Sequence, residues 1–211
     1  MPEPIARRWP DETIVCAASG PTLTAEDLAY ARRRAHVVAV SDAVRLAPWA
    51  PVLYSSDRRW WHYYAGAPEF RGHKVGVGWK LGDSSPIPRA PGIHVLEHTG
   101  PEGLELVSTG LRTGGHSGYA AINLAVHLGA RRIVLLGYTC GRVGGASHFF
   151  GRHPSGLEES TDQHYAAFRR AYDALVAPLA ELGVAVINAT PGSTITAFPC
   201  APLMAAFREA A

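Results

Sequence analysis

Residues 13–40 read TIVCAASGPTLTAEDLAYARRRAHVVAV. Thr13–Ala17 is apolar from Ile14 onward, the pattern of a short strand buried on both faces rather than of a helix. Ser19-Gly20-Pro21 makes a turn. A helix is expected from about Ala25, with Thr24 as its N-cap and Asp27 supporting the first turn. His36–Val40 is a second buried strand, too β-branched and too short for an independent helix. Strand, turn, helix and strand in this order point to a parallel sheet with helices packed on it.

The same alternation continues outward. Val52–Ser55 reads as a third strand, and Asp42–Leu46 leaves room only for a short helix before Pro48. Residues 66–106 are rich in Gly and Pro and hold two strand-like pieces, His73–Val77 and Ile93–Glu97; residues 60–108 read as an insertion-like region. Ser117–Leu128 is a helix ended by Gly129, a natural left-handed terminator. Arg132–Leu136 is a further buried strand, followed by a loop from Gly137 to about Ser160. A long helix is expected near Asp162–Leu182, then a last strand at Ala185–Asn188 and helical character in Pro202–Ala210. The fold expected is α/β, a Rossmann-like three-layer sandwich with a mainly parallel sheet, in one nucleotide-binding domain spanning residues 1–211.

Composition narrows the classes. The chain has 211 residues, 47% hydrophobic and 18% charged, which suits a globular protein and not a disordered one. No apolar run reaches the roughly 18–20 residues that cross a bilayer, and MPEPIARRWPDE lacks the apolar core of a secretory signal. Cys16, Cys140 and Cys200 lie far apart without CxxC spacing, which fits a reducing compartment, so a cytoplasmic location with no membrane partner is expected. A net charge of +2 does not by itself argue for nucleic acid. The arginine clusters at 7–8, 32–34, 58–59 and 131–132 read as solvated ends of elements, one or two of them free to meet a phosphate.

In an open parallel sheet, ligands sit beyond the carboxyl ends of the strands. Polar clusters follow four of the expected strands: Ser19-Gly20-Pro21-Thr22, Ser41-Asp42, Ser56-Asp57 and Tyr138-Thr139-Cys140. ASGPTL lacks the second and third glycines of GxGxxG, and GxxxxGK[ST] is absent, which disfavours a nicotinamide dehydrogenase or a Walker ATPase. The turn Thr113-Gly114-Gly115-His116-Ser117-Gly118 opens into a helix. Gly115 and its neighbours allow close backbone approach, and the helix start favours an anion. Ser117 is either the cap of that helix or a ligand contact, and His116 is a neutral donor candidate. His148, His153 and His164 do not have zinc spacing, and no metal site is expected from them. A loop histidine such as His148 suits a general base. Trp60, Trp61, Tyr63 and Tyr64 either pack a helix or stack a ring.

Taken in order, ASGPTL, HVVAVSDA, HSGYAAINLAVHLGARRIVLLGY, SHFFGRHP and NATPGSTITAF resemble the motif series of single-domain Rossmann-like bacterial sialyltransferases. The series is also similar to Maf-type flagellin glycosylation proteins and MptE-like hydroxymethylpterin diphosphokinases, and its wording is nearest to phage-encoded proteins of unassigned activity. The resemblance implies a donor nucleotide, CMP-, UDP- or GDP-linked, against Ser19, Gly20 and Pro21, with Ser41 and Asp42 bordering the pocket. Ser117 and Gly118 would contact the nucleotide, and His148 would deprotonate an acceptor hydroxyl. Ser19 and Ser41 stand where the family has asparagines, and Thr139 stands for an acidic residue. The tyrosines that hold the leaving phosphate are missing, so Arg142 or Arg152 would replace them, beside His153. The function implied is glycosyltransferase-like group transfer onto a hydroxyl, with a nucleotide or DNA base a conceivable acceptor and a homo-oligomer conceivable. Two alternatives stand beside it: a diphosphokinase using Mg²⁺ on Asp42 and Asp57, and a non-catalytic nucleotide-binding protein.

Overall fold

The structure, a computed structural model, describes residues 2–78 and 92–208. Chain order runs β1 (Thr13–Ala17), α1 (Ala25–Arg32), β2 (His36–Val40), a 3-10 turn (Ser41–Arg45), β3 (Val52–Ser55), α2 (Arg58–Tyr63), β4 (His73–Gly78) and β5 (Ile93–Gly100). It continues through β6 (Gly110–Arg112), α3 (Ser117–Leu128), β7 (Arg132–Leu136), α4 (Asp162–Glu181), β8 (Ala185–Asn188) and α5 (Leu203–Ala206). The strands form one eight-stranded sheet in the order β6-β5-β4-β3-β2-β1-β7-β8. Every neighbouring pair is parallel.

Alternation along each strand explains why the central strands are apolar throughout. Ile14 and Cys16 enter one core and Val15 and Ala17 the other, because successive Cβ atoms point to opposite faces. The first core is closed by α3 and α4, through residues such as Ile122, Leu124 and Leu175. The second is closed by α1, α2 and α5, through Leu28, Trp61 and Ala206. This is a three-layer α/β fold of the Rossmann-like kind.

Local chemistry sets the helix limits. Thr24 caps α1 by accepting from Asp27 N at 3.1 Å. Gly129 ends α3 at φ 107, where a Cβ would lie 2.9 Å from Trp9 O and Pro10 Cα. Thr161 and His164 form a reciprocal box at the start of α4, each side chain accepting from the other's backbone N–H at 3.3 Å.

Within residues 60–108, the described part carries β4 and β5 at the two strand-like pieces of the sequence, and they extend the sheet next to β3. The six-residue α2 starts at the Asp57 cap and packs Trp60 and Trp61 into the second core. The structure departs from the sequence pattern in two places. The three residues of β6 become a strand only by pairing with β5. At the C-terminal end only Leu203–Ala206 is helical, and residues 209–210 of the expected span lie outside the described residues. No helix among the described residues is long and apolar enough to cross a membrane.

From β1 the chain adds strands successively to one side, out to β6. Then α3 crosses one face and delivers β7 to the other side of β1. The direction of strand addition therefore reverses between β1 and β7, and a crevice opens at their carboxyl ends.

Candidate functional site

That crevice is a cleft of about 790 Å³, a size typical of small-molecule sites. Ser19 and Gly20 line it from the end of β1, Ser41 from β2, and Asp57 from β3. Gly115, His116, Ser117 and Gly118 line it from the start of α3, Thr139 from β7, and His148 and His153 from the following loop. Loops separated by most of the chain thus converge on one end of the sheet.

Five residues singled out from the sequence do not line it. Pro21 lies in the turn beyond Gly20, and Thr22 donates its hydroxyl to Pro191 O at 3.1 Å. Asp42 is buried, with its two oxygens accepting from Trp60 Nε1 at 2.9 Å and Tyr64 OH at 2.7 Å. It anchors α2 to the 3-10 turn. Arg142 donates to Ser147 Oγ and Ser160 O, bracing the loop from within. Arg152 is exposed. Trp60 and Trp61 are buried in the second core, and Trp60 also borders the cleft.

Several polar groups of the cleft tie strand ends together. Ser41 Oγ donates to Ser55 Oγ at 3.0 Å, and Ser55 Oγ accepts from Asp57 N. Ser117 does not cap α3. It is the first helical residue, and its Oγ accepts from Ser56 N at 3.0 Å, joining α3 to the end of β3. Asp57 caps α2 by accepting from Arg59 N at 2.8 Å. Gly20 has a packing role: its N–H donates to Gly137 O at 2.9 Å. A Cβ there would meet that same oxygen and lie 2.6 Å from Thr139 Oγ1. The late segment braces the β7 tip from below, with Ser193 Oγ donating to Tyr138 O at 2.6 Å and Thr194 Oγ1 to Cys140 O at 2.8 Å.

His148 is the best-held titratable group of the cleft. Its Nδ1 lies 3.1 Å from Ser19 Oγ, and its ring stacks on Phe150 at 5.0 Å. Burial lowers its pKa below the ordinary histidine value and His153 lowers it further, while Glu159 and a hydrogen bond to the Ser19 main chain work the other way. The Nδ1 contact to the Ser19 hydroxyl is a donor or an acceptor according to the ring tautomer. Nε2 is buried, without a hydrogen-bond partner and 3.9 Å from Glu159 Oε2. In the tautomer with its proton on Nδ1, the neutral imidazole is equipped to take a proton at Nε2.

At the start of α3, the His116 side chain makes no capping bond, so the first-turn amides are not satisfied by a side chain. Thr139, only 1% exposed, presents an Oγ1 without a partner in the same cleft. Two non-glycine residues of the lining, Ser41 and Cys140, hold φ values of 50 and 52, and such strain clusters at ligand sites. Burial pushes the Cys140 thiol up to about 11, so it stays protonated.

Of the other lining residues, Arg59 stood in the sequence reading only within an arginine cluster free to meet a phosphate, and Glu158, Glu159, Tyr165, Phe168 and Tyr172 were not singled out. Arg59 pairs with Glu158 at 2.6 Å across the cleft mouth, and Glu159 Oε1 accepts from His153 N at 2.6 Å. Tyr165, Phe168 and Tyr172 form a stripe on α4 facing the cleft. Their i, i+3, i+7 spacing was a readable signal; nothing local marked Arg59 off from the other arginine pairs. Among the described residues, no group of three or more His, Cys, Asp or Glu side chains is placed to hold a metal ion. The chain matches no protein-family model, no curated protein and no solved structure.

Proposed function

We propose that this protein transfers a sugar or similar group from a nucleotide-linked donor to an acceptor hydroxyl, with His148 as general base. The observation that carries the reading is the buried, unpartnered Nε2 of His148, held by Ser19 at the switch-point cleft. In the reaction, Nε2 takes the proton of the acceptor hydroxyl while the oxygen bonds to the transferred carbon. The bond from that carbon to the phosphate oxygen breaks, and its electron pair leaves with the phosphate.

The departing phosphate needs compensating charge. The open amides at the start of α3 and the Thr139 hydroxyl are suited to it. Arg59 takes the place that the sequence reading gave to Arg142 or Arg152, because it lines the cleft and they do not. The diphosphokinase alternative requires carboxylates directed at a bound Mg²⁺. Asp42 is already engaged with Trp60 and Tyr64, and Asp57 caps α2, which favours sugar-type transfer.

The test is a thermal-shift panel of CMP, UDP, GDP, ADP and ATP, followed by turnover assays with the matching nucleotide sugars. A binding nucleotide raises the melting temperature. His148→Ala is expected to keep that shift and lose transfer by roughly 100-fold or more. Transfer at the wild-type rate in that variant removes His148 from the mechanism. Binding without turnover across all donors supports a non-catalytic nucleotide-binding role instead.

A further inference from the structure

Two buried polar atoms of the cleft lie apart from His148 and serve no purpose within the protein. His116 Nε2 and the Tyr165 hydroxyl are both shut away from solvent without a hydrogen-bond partner. Both residues touch Phe168, whose ring centre lies 4.3 Å from that of His116 and 6.5 Å from that of Tyr165. Tyr172 backs the His116 ring at 5.3 Å. A Cβ on Gly115 would sit 3.6 Å from Phe168 Cε1, so a glycine there leaves the ring edge open to the cleft.

We propose that this wall, between the start of α3 and the first turns of α4, is a subsite for a nucleobase, stacked on Phe168 and read by His116 Nε2 and the Tyr165 hydroxyl. The inference rests on the donor reading above and adds where the base lies and which groups select it.

Charge separates this wall from the rest of the cleft. Burial pushes the His116 pKa down to about 3, so the ring is neutral at working pH. Cys140 is protonated, and the Arg169 guanidinium is turned to Cys140 O at 3.1 Å. His164 stands at the outer edge of the wall, stacked on Phe168 at 6.2 Å. The ion pair of Arg59 with Glu158 belongs to α2, on the other face of the sheet, and to the loop ahead of α4. A phosphate gains from cations, whereas a neutral ring gains from stacking and from a few directed hydrogen bonds. A neutral imidazole offers a donor or an acceptor by tautomer, and a phenol offers both. Together they match a ring edge that presents a donor beside an acceptor, as every nucleobase does.

Calorimetric titration with CMP, UMP, AMP, GMP and inorganic phosphate, on wild type and two variants, tests this. His116→Phe keeps the ring and removes the nitrogen; it is expected to weaken the preferred nucleotide about tenfold and to flatten the preference among the four. Phe168→Ala is expected to weaken all four alike, several-fold or more. Inorganic phosphate binding should stay at its wild-type value in both, which also reports that the cleft remains folded. Unchanged nucleotide affinity and preference in both variants overturn the subsite while leaving the donor reading standing. Wild-type protein that binds phosphate but no nucleotide overturns the subsite and the donor reading together. Failure to bind any probe overturns the donor reading with it.

Discussion

Replacing His116 with phenylalanine should make the protein markedly more resistant to acid, by an amount that follows from burial of the imidazole. The folded pKa of about 3 lies below the ordinary value of 6.5 because desolvation opposes the charged form. The unfolded chain therefore binds a proton through the interval between these values, and the folded chain does not. Folding stability then rises with pH across this window and is lost as pH falls from about 6.5 toward 3. For one such group the loss is about 1 kcal/mol at pH 5.5 and about 3 kcal/mol at pH 4.5. His116→Phe preserves the contacts with Phe168 and Tyr172 and cannot be protonated. Urea unfolding of both proteins at pH 7.0, 5.5 and 4.5 gives the difference directly, since other buried histidines such as His127 contribute equally to each. A difference that stays constant across the three pH values would show that His116 is hydrated and titrates normally, and the neutral wall beside it would lose its basis.

Three further outcomes follow from the geometry. Gly20→Ala drives a Cβ into Gly137 O and to 2.6 Å from Thr139 Oγ1; a loss of about 2 kcal/mol is expected, read as a melting temperature lower by several degrees, and an unchanged melting temperature contradicts the packing. The rate of transfer should rise with pH to a plateau already reached at neutrality, with its inflection below about 6.5, because burial depresses the His148 pKa; an inflection above that value shows that Glu159 outweighs burial. Glu158→Gln releases Arg59 from its 2.6 Å ion pair and should tighten nucleoside diphosphate binding several-fold at low salt, while Arg59→Gln weakens it about tenfold. Equal affinities in the two variants would exclude Arg59 from the phosphate.

The architecture was readable because its signals are local. Ile14–Ala17 and Ile133–Leu136 are apolar at every position since both faces of their strands are covered, and Thr24 and Gly129 mark helix limits through the chemistry of their own side chains or backbones. The same locality misleads about β6. Gly110–Arg112 become a strand only because β5 is there to pair with, and that cause is not written within the segment. In α2 the Asp57 cap is local, whereas the burial of Trp60 and Trp61 depends on the core they enter.

The cleft divides along the same line. Strand-end position alone brought Ser19, Ser41, Asp57 and Thr139 to attention, and the fold sets all four at the cleft. Position could not separate a side chain aimed at a ligand from one aimed at a neighbour. Ser41 and Ser117 are spent on joining β2, β3 and α3, and Asp42 on holding Trp60 and Tyr64. What distinguishes Thr139, His116, His148, His153 and Tyr165 is a polar atom buried at the cleft with no hydrogen-bond partner. Leaving such an atom unsatisfied costs about 1–3 kcal/mol, so five of them around one cleft are a stronger sign of a missing ligand than any of the short motifs. That sign belongs to three dimensions: it depends on what fails to reach a side chain, which neither spacing nor composition records.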